Sequence, residues 1–148
     1  MVWGRESSLQ KAAEEGFTVA SSKEDFFRTS DIVCLQLRLN DETRNIVRAQ
    51  DLAIMKPTSL LVNASRAELI EPGALEAGLK RGRPAYAAID TYESEPILGA
   101  NHPLLHLPNC LCTPHIGFVE RDNYEAYFGI AFDNINAYLS GSPQNCVN

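Results

Sequence analysis

Short apolar runs alternate with amphipathic stretches along the whole chain. Runs of this length, bounded by polar or proline positions, favour strands buried on both faces, as in a parallel sheet. Helical spacing and glycine or proline stops predict short helices between them. The predicted strands are 17–20, 32–37, 60–66, 85–89 and 111–113, and the predicted helices are 10–15, a short one after Ser22, 49–55 and 71–82. This alternation predicts an α/β fold with a doubly wound parallel sheet and right-handed crossovers.

The two ends of the chain differ from this pattern. Val2 and Trp3, followed at once by Gly4, indicate the tail of a strand. From about Arg121 to Leu139 the spacing predicts one long amphipathic helix, whose apolar side comprises Tyr124, Phe128, Phe132, Ile135 and Leu139. We expect part of that side to remain exposed. The connection 96–108 carries prolines and histidines and is expected to be irregular.

Three predicted strands end in residues that can carry chemistry. These residues are Arg66, then Asp90, with Glu93 and Glu95 following it in the sequence, and His115. Ligands bind outside the carboxyl ends of the strands in open α/β sheets. A guanidinium that binds a carboxylate, an imidazole that transfers a proton and a carboxylate that holds the imidazole suit hydride transfer to a 2-keto acid. Taken singly, each residue also fits a plain structural role, as a strand-capping arginine, a satisfied histidine or a solvated glutamate.

Three segments carry a specific resemblance. The segments 63–71, 88–96 and 107–117 resemble, in order and approximate spacing, signature segments of the D-isomer-specific 2-hydroxyacid dehydrogenases. The similarity extends over essentially the whole chain. It implies a Rossmann-like sheet that lacks its first strand and its glycine-rich GxGxxG turn. Residues 1–148 would then form a partial dinucleotide-binding domain with its C-terminal helix.

The resemblance also implies roles for individual residues. Arg66 would bind the substrate, His115 would be the acid/base, and Glu95 would orient it. Glu95 is preferred to Glu93 because the glutamate of the family motif directly precedes the proline. The residues expected along the NAD or NADP cofactor are Arg5, Leu37, Arg38, Thr43, Ala64, Ser65, Arg66, Asp90, His115 and Gly117. Two departures stand out: Ala67 where the family usually has glycine, and Gln36-Leu37-Arg38 where it usually has His-Leu-Pro.

Coenzyme choice depends on the start of the chain. NAD-selective folds place an acidic side chain at the end of the second strand, and an arginine there suits the 2′-phosphate of NADP. Gly4 occupies the acidic position and Arg5 follows it, so the pattern favours NADP. Glu6 keeps NAD open, because a shift of one residue in the turn would place a carboxylate there.

Composition narrows the classes of partner. The net charge of −6 and the scattered arginines argue against nucleic acid as a partner. No apolar run approaches the roughly 20 residues that span a bilayer, and we expect a cytoplasmic protein. The four cysteines are expected to be free and mostly buried, because Cys110-Leu-Cys112 lacks the spacing of a CxxC redox or zinc motif. No metal site is predicted.

Two alternatives belong to other functional classes. A short-chain dehydrogenase would need Tyr-x-x-x-Lys, and none of the five tyrosines has a lysine at that offset. A non-catalytic NAD(P)-fold remnant or interaction module stays open. Without the glycine-rich turn and a second domain, we expect this chain by itself to bind NAD(P) weakly, to self-associate and to lack activity. The full-length enzyme is expected to be a homodimer that acts on a small 2-keto or 2-hydroxy acid.

Overall fold

The structure is a computed structural model that describes residues 1–147. The chain forms two compact units, Met1–His115 and the residues from Ile116 onward. The first unit contains the helices α1 (Glu6–Glu14), α2 (Lys23–Thr29), α3 (Ala49–Ala53) and α4 (Ala74–Lys80), and the strands β1 (Ile32–Leu35), β2 (Leu60–Asn63), β3 (Tyr86–Ile89) and β4 (Cys110–Cys112). Three 3-10 turns lie at Ala67–Leu69, Leu98–Ala100 and Pro103–His106. The second unit is built on α5 (Arg121–Leu139).

The four strands form one parallel sheet in the order β1-β2-β3-β4. Leu61 in β2 lies opposite Val33 in β1 and Ala87 in β3. Parallel strands that follow one another in the chain need a crossover connection. The crossover from β1 to β2 contains α3, that from β2 to β3 contains α4, and that from β3 to β4 contains two 3-10 turns. The predicted α/β class and Rossmann-like parallel sheet are therefore confirmed.

One face of the sheet carries the core of the first unit. Val33, Leu61 and Ile89 alternate with less buried residues and pack into a single apolar cluster. Phe27 from α2, Leu52 from α3, and Leu75 and Leu79 from α4 complete that cluster. The opposite face is open, with Ile32, Tyr86 and Leu111 exposed. The period of two along each strand thus separates a packed face from an open one.

The strands end earlier than the apolar runs predict. β1 ends at Leu35 and β2 at Asn63, whereas strands to Leu37 and Arg66 were predicted. At Asn63 the reason is local, because its Oδ1 accepts from the Ser65 amide and its Nδ2 donates to the Arg66 carbonyl. The side chain takes over backbone hydrogen bonds that a longer strand would have made.

Two further strand and loop predictions need correction. The predicted strand 17–20 is reduced to a single bridge between Val19 and Val2. The connection 96–108 is more regular than expected, since it contains two 3-10 turns. The second begins where the His102 ring nitrogen accepts from the Leu104 amide. This side-chain cap stabilises a turn in a segment whose prolines predict irregular structure.

The helices also differ in their bounds. α1 begins at Glu6 rather than Gln10, and α3 ends at Ala53 rather than Met55. α4 begins at Ala74 rather than Glu71, because Gly73 has a φ of 74° and cannot continue a right-handed helix. The bounds of α5 agree with the prediction. Within it, Phe128, Phe132 and Leu139 are exposed.

The cysteines are free, as expected, but the prediction that they are mostly buried was wrong. Cys34 lies on the open face of β1 and is exposed, as is Cys146. Cys110 and Cys112 are half-buried, because they lie on the outermost strand. Among the described residues, none of the helices is both long and apolar enough to cross a lipid bilayer.

A leucine-to-alanine substitution should lower the free energy of unfolding by different amounts on the two faces of the sheet. Leu61 is 0% exposed and Leu111 is 66% exposed. Leu61→Ala should lower the free energy of unfolding by about 2–5 kcal/mol, because it removes buried methyl groups and leaves a cavity. Urea denaturation followed by circular dichroism measures the loss. Leu111→Ala is the control and should cost under about 1 kcal/mol; equal losses in the two variants would show that the packed face is misassigned.

Candidate active site

The ends of β3 and β4 are joined by a hydrogen bond between side chains. Asp90 directly follows β3 and is buried, and Thr113 directly follows β4. The Thr113 hydroxyl donates to Asp90 Oδ1, and the Thr113 amide donates to the Ile89 carbonyl at 2.9 Å. The two loops that leave these strands therefore start from one fixed point at the carboxyl edge of the sheet.

Glu95 and His115 meet beyond that point. Glu95 Oε2 lies 2.6 Å from His115 Nδ1. The other carboxylate oxygen, Oε1, accepts from the Tyr92 amide at 2.8 Å. Each side chain is about one-third exposed, and His115 has a φ of 56°, in the left-handed region that non-glycine residues rarely adopt. The imidazole ring thus contacts a glutamate that lies 20 residues earlier in the sequence.

The contact with His115 changes the pKa of the Glu95 carboxyl group. The hydrogen bond from His115 is the main cause that lowers the pKa of Glu95 below its ordinary value. Partial burial opposes this effect, and the Tyr92 amide adds to it. Glu95 is therefore ionised at neutral pH and can hold a positively charged imidazole.

Arg66 reaches the same edge from β2. It lies three residues beyond the strand, and its Nη1 donates to the Ser65 carbonyl at 2.6 Å. The Ser65 hydroxyl donates to the Leu37 carbonyl at 2.7 Å and so ties the loop after β2 to the loop after β1. The structure thus joins Glu95 to His115 and Ser65 to Leu37, whereas the guanidinium of Arg66 bonds to its own loop.

The remaining cofactor candidates, apart from Gly117, lie in two regions of the first unit. The Thr43 hydroxyl donates to the Arg38 carbonyl at 2.6 Å, and Thr43 is buried. Its side chain therefore closes the loop after β1. Ala64 is exposed directly after β2, and Arg5 precedes α1, where its carbonyl accepts from the amides of the first turn. Gly117 belongs to the second unit.

Tyr92 is a site residue that the sequence patterns missed. Its amide holds Glu95, and its hydroxyl donates to the Thr113 carbonyl at 3.1 Å. Burial, followed by the neighbouring Cys112 thiol, raises the pKa of the Tyr92 hydroxyl. The residue contacts both loops of the candidate pair. Neither periodicity nor a charge marks it in the sequence, since its role depends on a contact 21 residues away.

A pocket lies beside this site in the first unit. Its polar lining includes His102, whose Nε2 is 3.1 Å from Glu93 Oε2. The Thr91 hydroxyl is buried and makes no hydrogen bond within the part of the chain that the structure describes. The pocket is lined in part by Asn63, Glu71, Ile89, Thr91, Glu93 and His102. The imidazole of His102 thus pairs with the glutamate that was not chosen as the partner of His115.

A family comparison agrees with this geometry. Residues 1–117 match the model of the D-isomer specific 2-hydroxyacid dehydrogenase, NAD binding domain. The chain belongs to the D-isomer specific 2-hydroxyacid dehydrogenases. The resemblance seen in the three sequence segments is confirmed, and an oxidoreductase lineage with a nicotinamide cofactor follows from it.

Individual relatives of this chain belong to the same class of enzyme. It is 39% identical over 128 residues to a glyoxylate reductase of Aeropyrum pernix, covering 86% of this chain and 38% of the relative. It is 37% identical over 140 residues to glyoxylate/hydroxypyruvate reductase B of Shigella boydii, covering 93% and 43%. The crystal structure of an oxidoreductase from Ralstonia solanacearum superposes with a TM-score of 0.92 at 55% identity, covering 99% and 43%. The chain spans less than half the length of these proteins.

The lowered pKa of Glu95 can be tested directly. In the unaltered chain its side-chain carbon signal, followed by NMR against pH, should titrate below the ordinary value for glutamate. Because the hydrogen bond from His115 is the largest cause, His115→Ala should raise the Glu95 pKa. The stabilisation from this pair is present above the unfolded pKa and is lost as the pH falls through the folded pKa. His106→Ala, which removes an imidazole from the turn Pro103–His106, should leave the titration unchanged.

An ordinary pKa for Glu95 in the unaltered chain would contradict the contact. So would a His106→Ala effect as large as that of His115→Ala.

Proposed function

We propose that this chain carries the proton-transfer and substrate-binding groups for hydride transfer between NAD(P) and a 2-keto or 2-hydroxy acid. The observation that supports this most is the 2.6 Å contact between Glu95 and His115 beyond the carboxyl edge of the sheet. Arg66 supplies a guanidinium at the end of the neighbouring strand β2. This combination of groups matches the charge changes of the reaction.

The cofactor fits the residues at that edge. Asp90 provides a buried carboxylate at the end of β3, where it can accept from an amide N–H in addition to the Thr113 hydroxyl. The loops after β1 and β2 are tied together through Ser65 and Leu37, and this tie fixes the backbone on that side. Leu37, Ala64, Ser65 and Asp90 would hold the nicotinamide end. When bound, NAD(P)H supplies the hydride.

The three candidate catalytic residues would then bind the substrate, transfer the proton and orient the imidazole. Arg66 binds the substrate carboxylate through paired N–H donors and polarises the carbonyl. His115 carries a proton on Nε2 and gives it to the substrate oxygen as hydride arrives. Glu95 accepts from Nδ1 and stabilises the imidazole while it is charged. In the oxidation direction His115 takes that proton back.

The substrate class follows from the chemistry and the relatives. A guanidinium and an imidazole suit a carboxylate next to a carbonyl, which is a 2-keto acid. The two named relatives are reductases of glyoxylate and of hydroxypyruvate. We propose small 2-keto acids of this kind as substrates.

NADP is the proposed coenzyme. Arg5 lies three residues after Val2, which forms a bridge with Val19, and directly precedes α1. We place the ribose of the cofactor beside it. Its guanidinium suits a phosphate, and Glu6 is already the first residue of α1. The turn therefore leaves the arginine, rather than the glutamate, ahead of the helix.

The catalytic assignment is best tested in a complete enzyme. The matching segment of the Shigella boydii reductase would be replaced by residues 1–148, and the chimera assayed for hydroxypyruvate reduction. In this chimera His115→Ala should lower kcat by about 100-fold or more while NADPH binding stays nearly unchanged. His106→Ala is the matched control and should keep the chimera's rate.

Near-normal turnover of the His115→Ala chimera would overturn the role of His115. The isolated chain provides a further arm of the assay, in which no saturable oxidation of NADPH or NADH is expected.

Coenzyme preference is tested in the same chimera by titration. NADPH should bind more tightly than NADH, and Arg5→Ala should weaken NADPH binding by about 10-fold with little change for NADH. Arg81→Ala, at the end of α4, removes a guanidinium from elsewhere on the surface and should change neither. Tighter binding of NADH than NADPH by the unaltered chimera would refute the preference.

A further inference from the structure

Cys110 and Cys112 form a pair of thiols on one side of β4. Side chains two residues apart on a strand point to the same face, and the two Sγ atoms are 3.7 Å apart. Leu111 between them points to the open face and is exposed. The sequence spacing that excludes a CxxC motif thus still produces a close dithiol.

The pair lies on a strand at the edge of the sheet. Among the described residues β4 pairs with β3 and with no other strand, so one side of it carries no sheet neighbour. Both cysteines are half-buried, and each packs against the apolar core. The surrounding side chains therefore hold their separation, and neither residue is fully enclosed.

The geometry discriminates between the reactions open to a dithiol. A disulfide within an extended strand would join Cα atoms about 6.6 Å apart, near the upper limit for such bonds, and would draw the sulfurs to about 2.05 Å. A zinc ion needs about four ligands. Among the described residues, no group of three or more histidine, cysteine, aspartate or glutamate side chains is placed to hold a metal ion. A single atom that bonds to two sulfur atoms about one van der Waals contact apart fits this geometry better than a disulfide or a zinc ion does.

We propose that Cys110 and Cys112 form a dithiol site for trivalent organoarsenicals, with one arsenic atom bonded to both Sγ atoms. With phenylarsonous acid, two As–S bonds form and two As–O bonds break. Each thiol proton leaves with one hydroxide as water, and arsenic remains trivalent. The second bond forms within the molecule, so its effective concentration far exceeds that of any single thiol in solution.

The protonation state of the pair is consistent with this selectivity. Burial, with help from the Cys112 thiol, raises the pKa of Cys110 to about 12. The thiolate is therefore scarce at neutral pH, which slows ordinary alkylation and oxidation. Exchange at arsenic releases water and leaves no thiolate anion to be stabilised. The site does not depend on the proposed dehydrogenase function.

The test is intact-mass spectrometry of the reduced chain after one equivalent of phenylarsine oxide, which hydrates to the acid. One phenylarsenic group should be retained in the presence of excess glutathione and removed by ethanedithiol. Cys110→Ser and Cys112→Ser should each abolish retention. The double variant Cys34→Ser with Cys146→Ser removes the exposed thiols and should retain the full adduct.

A direct mapping covers the case in which a serine variant fails to fold. Trypsin should release residues 82–121 of the unaltered chain as one peptide, which contains Cys110 and Cys112 but neither of the other cysteines. Arsenic on this peptide, with both thiol hydrogens lost, supports the site. An adduct that glutathione strips, or one found on other peptides, overturns it.

Discussion

The burial of one face of the sheet is the constraint on which the rest of the first unit depends. Val33, Leu61 and Ala87 lie in register on that face and, together with Ile89, fill a single core. A slip of one residue would turn each of them to the open face. Because the strands are parallel, this register also sets which residues emerge together at their carboxyl ends. The packing that stabilises the unit therefore also positions the candidate site residues.

Short polar contacts then convert strand ends into a site. Asn63 ends β2 by taking over backbone hydrogen bonds, and Arg66 then lies in the loop directly before the 3-10 turn Ala67–Leu69. Thr113 and Asp90 join the next two strand ends. Tyr92 adds a second link, with its amide on Glu95 and its hydroxyl on the Thr113 carbonyl. These contacts restrict the backbone, so the Glu95–His115 pair needs less ordering of its own.

The fold class and the residues of the candidate site could be predicted because they follow from local patterns. Apolar runs, stops and strand ends are visible within about ten residues, and they pointed to Arg66, Asp90 and His115 as candidates. Glu95 was chosen over Glu93 through the resemblance to the family motif. The missed features depend on contacts between distant residues. Nothing near Tyr92 in the sequence indicates Thr113, and nothing in the run to Leu37 shows that β1 stops at Leu35. The wrong burial of Cys34 has the same cause, because burial on one face depends on what packs there.

The exposure of the Glu95–His115 pair determines what it can contribute. Each side chain is about one-third exposed, and in this setting an ion pair is screened by water. The same two groups gain electrostatic strength as water is removed, since the interaction scales inversely with the effective dielectric. The orientation of the Glu95–His115 pair is therefore already set in this chain, whereas the strength of its interaction depends on how far water is excluded from it. Orientation and enclosure are separable requirements, and the residues described here meet the first of them.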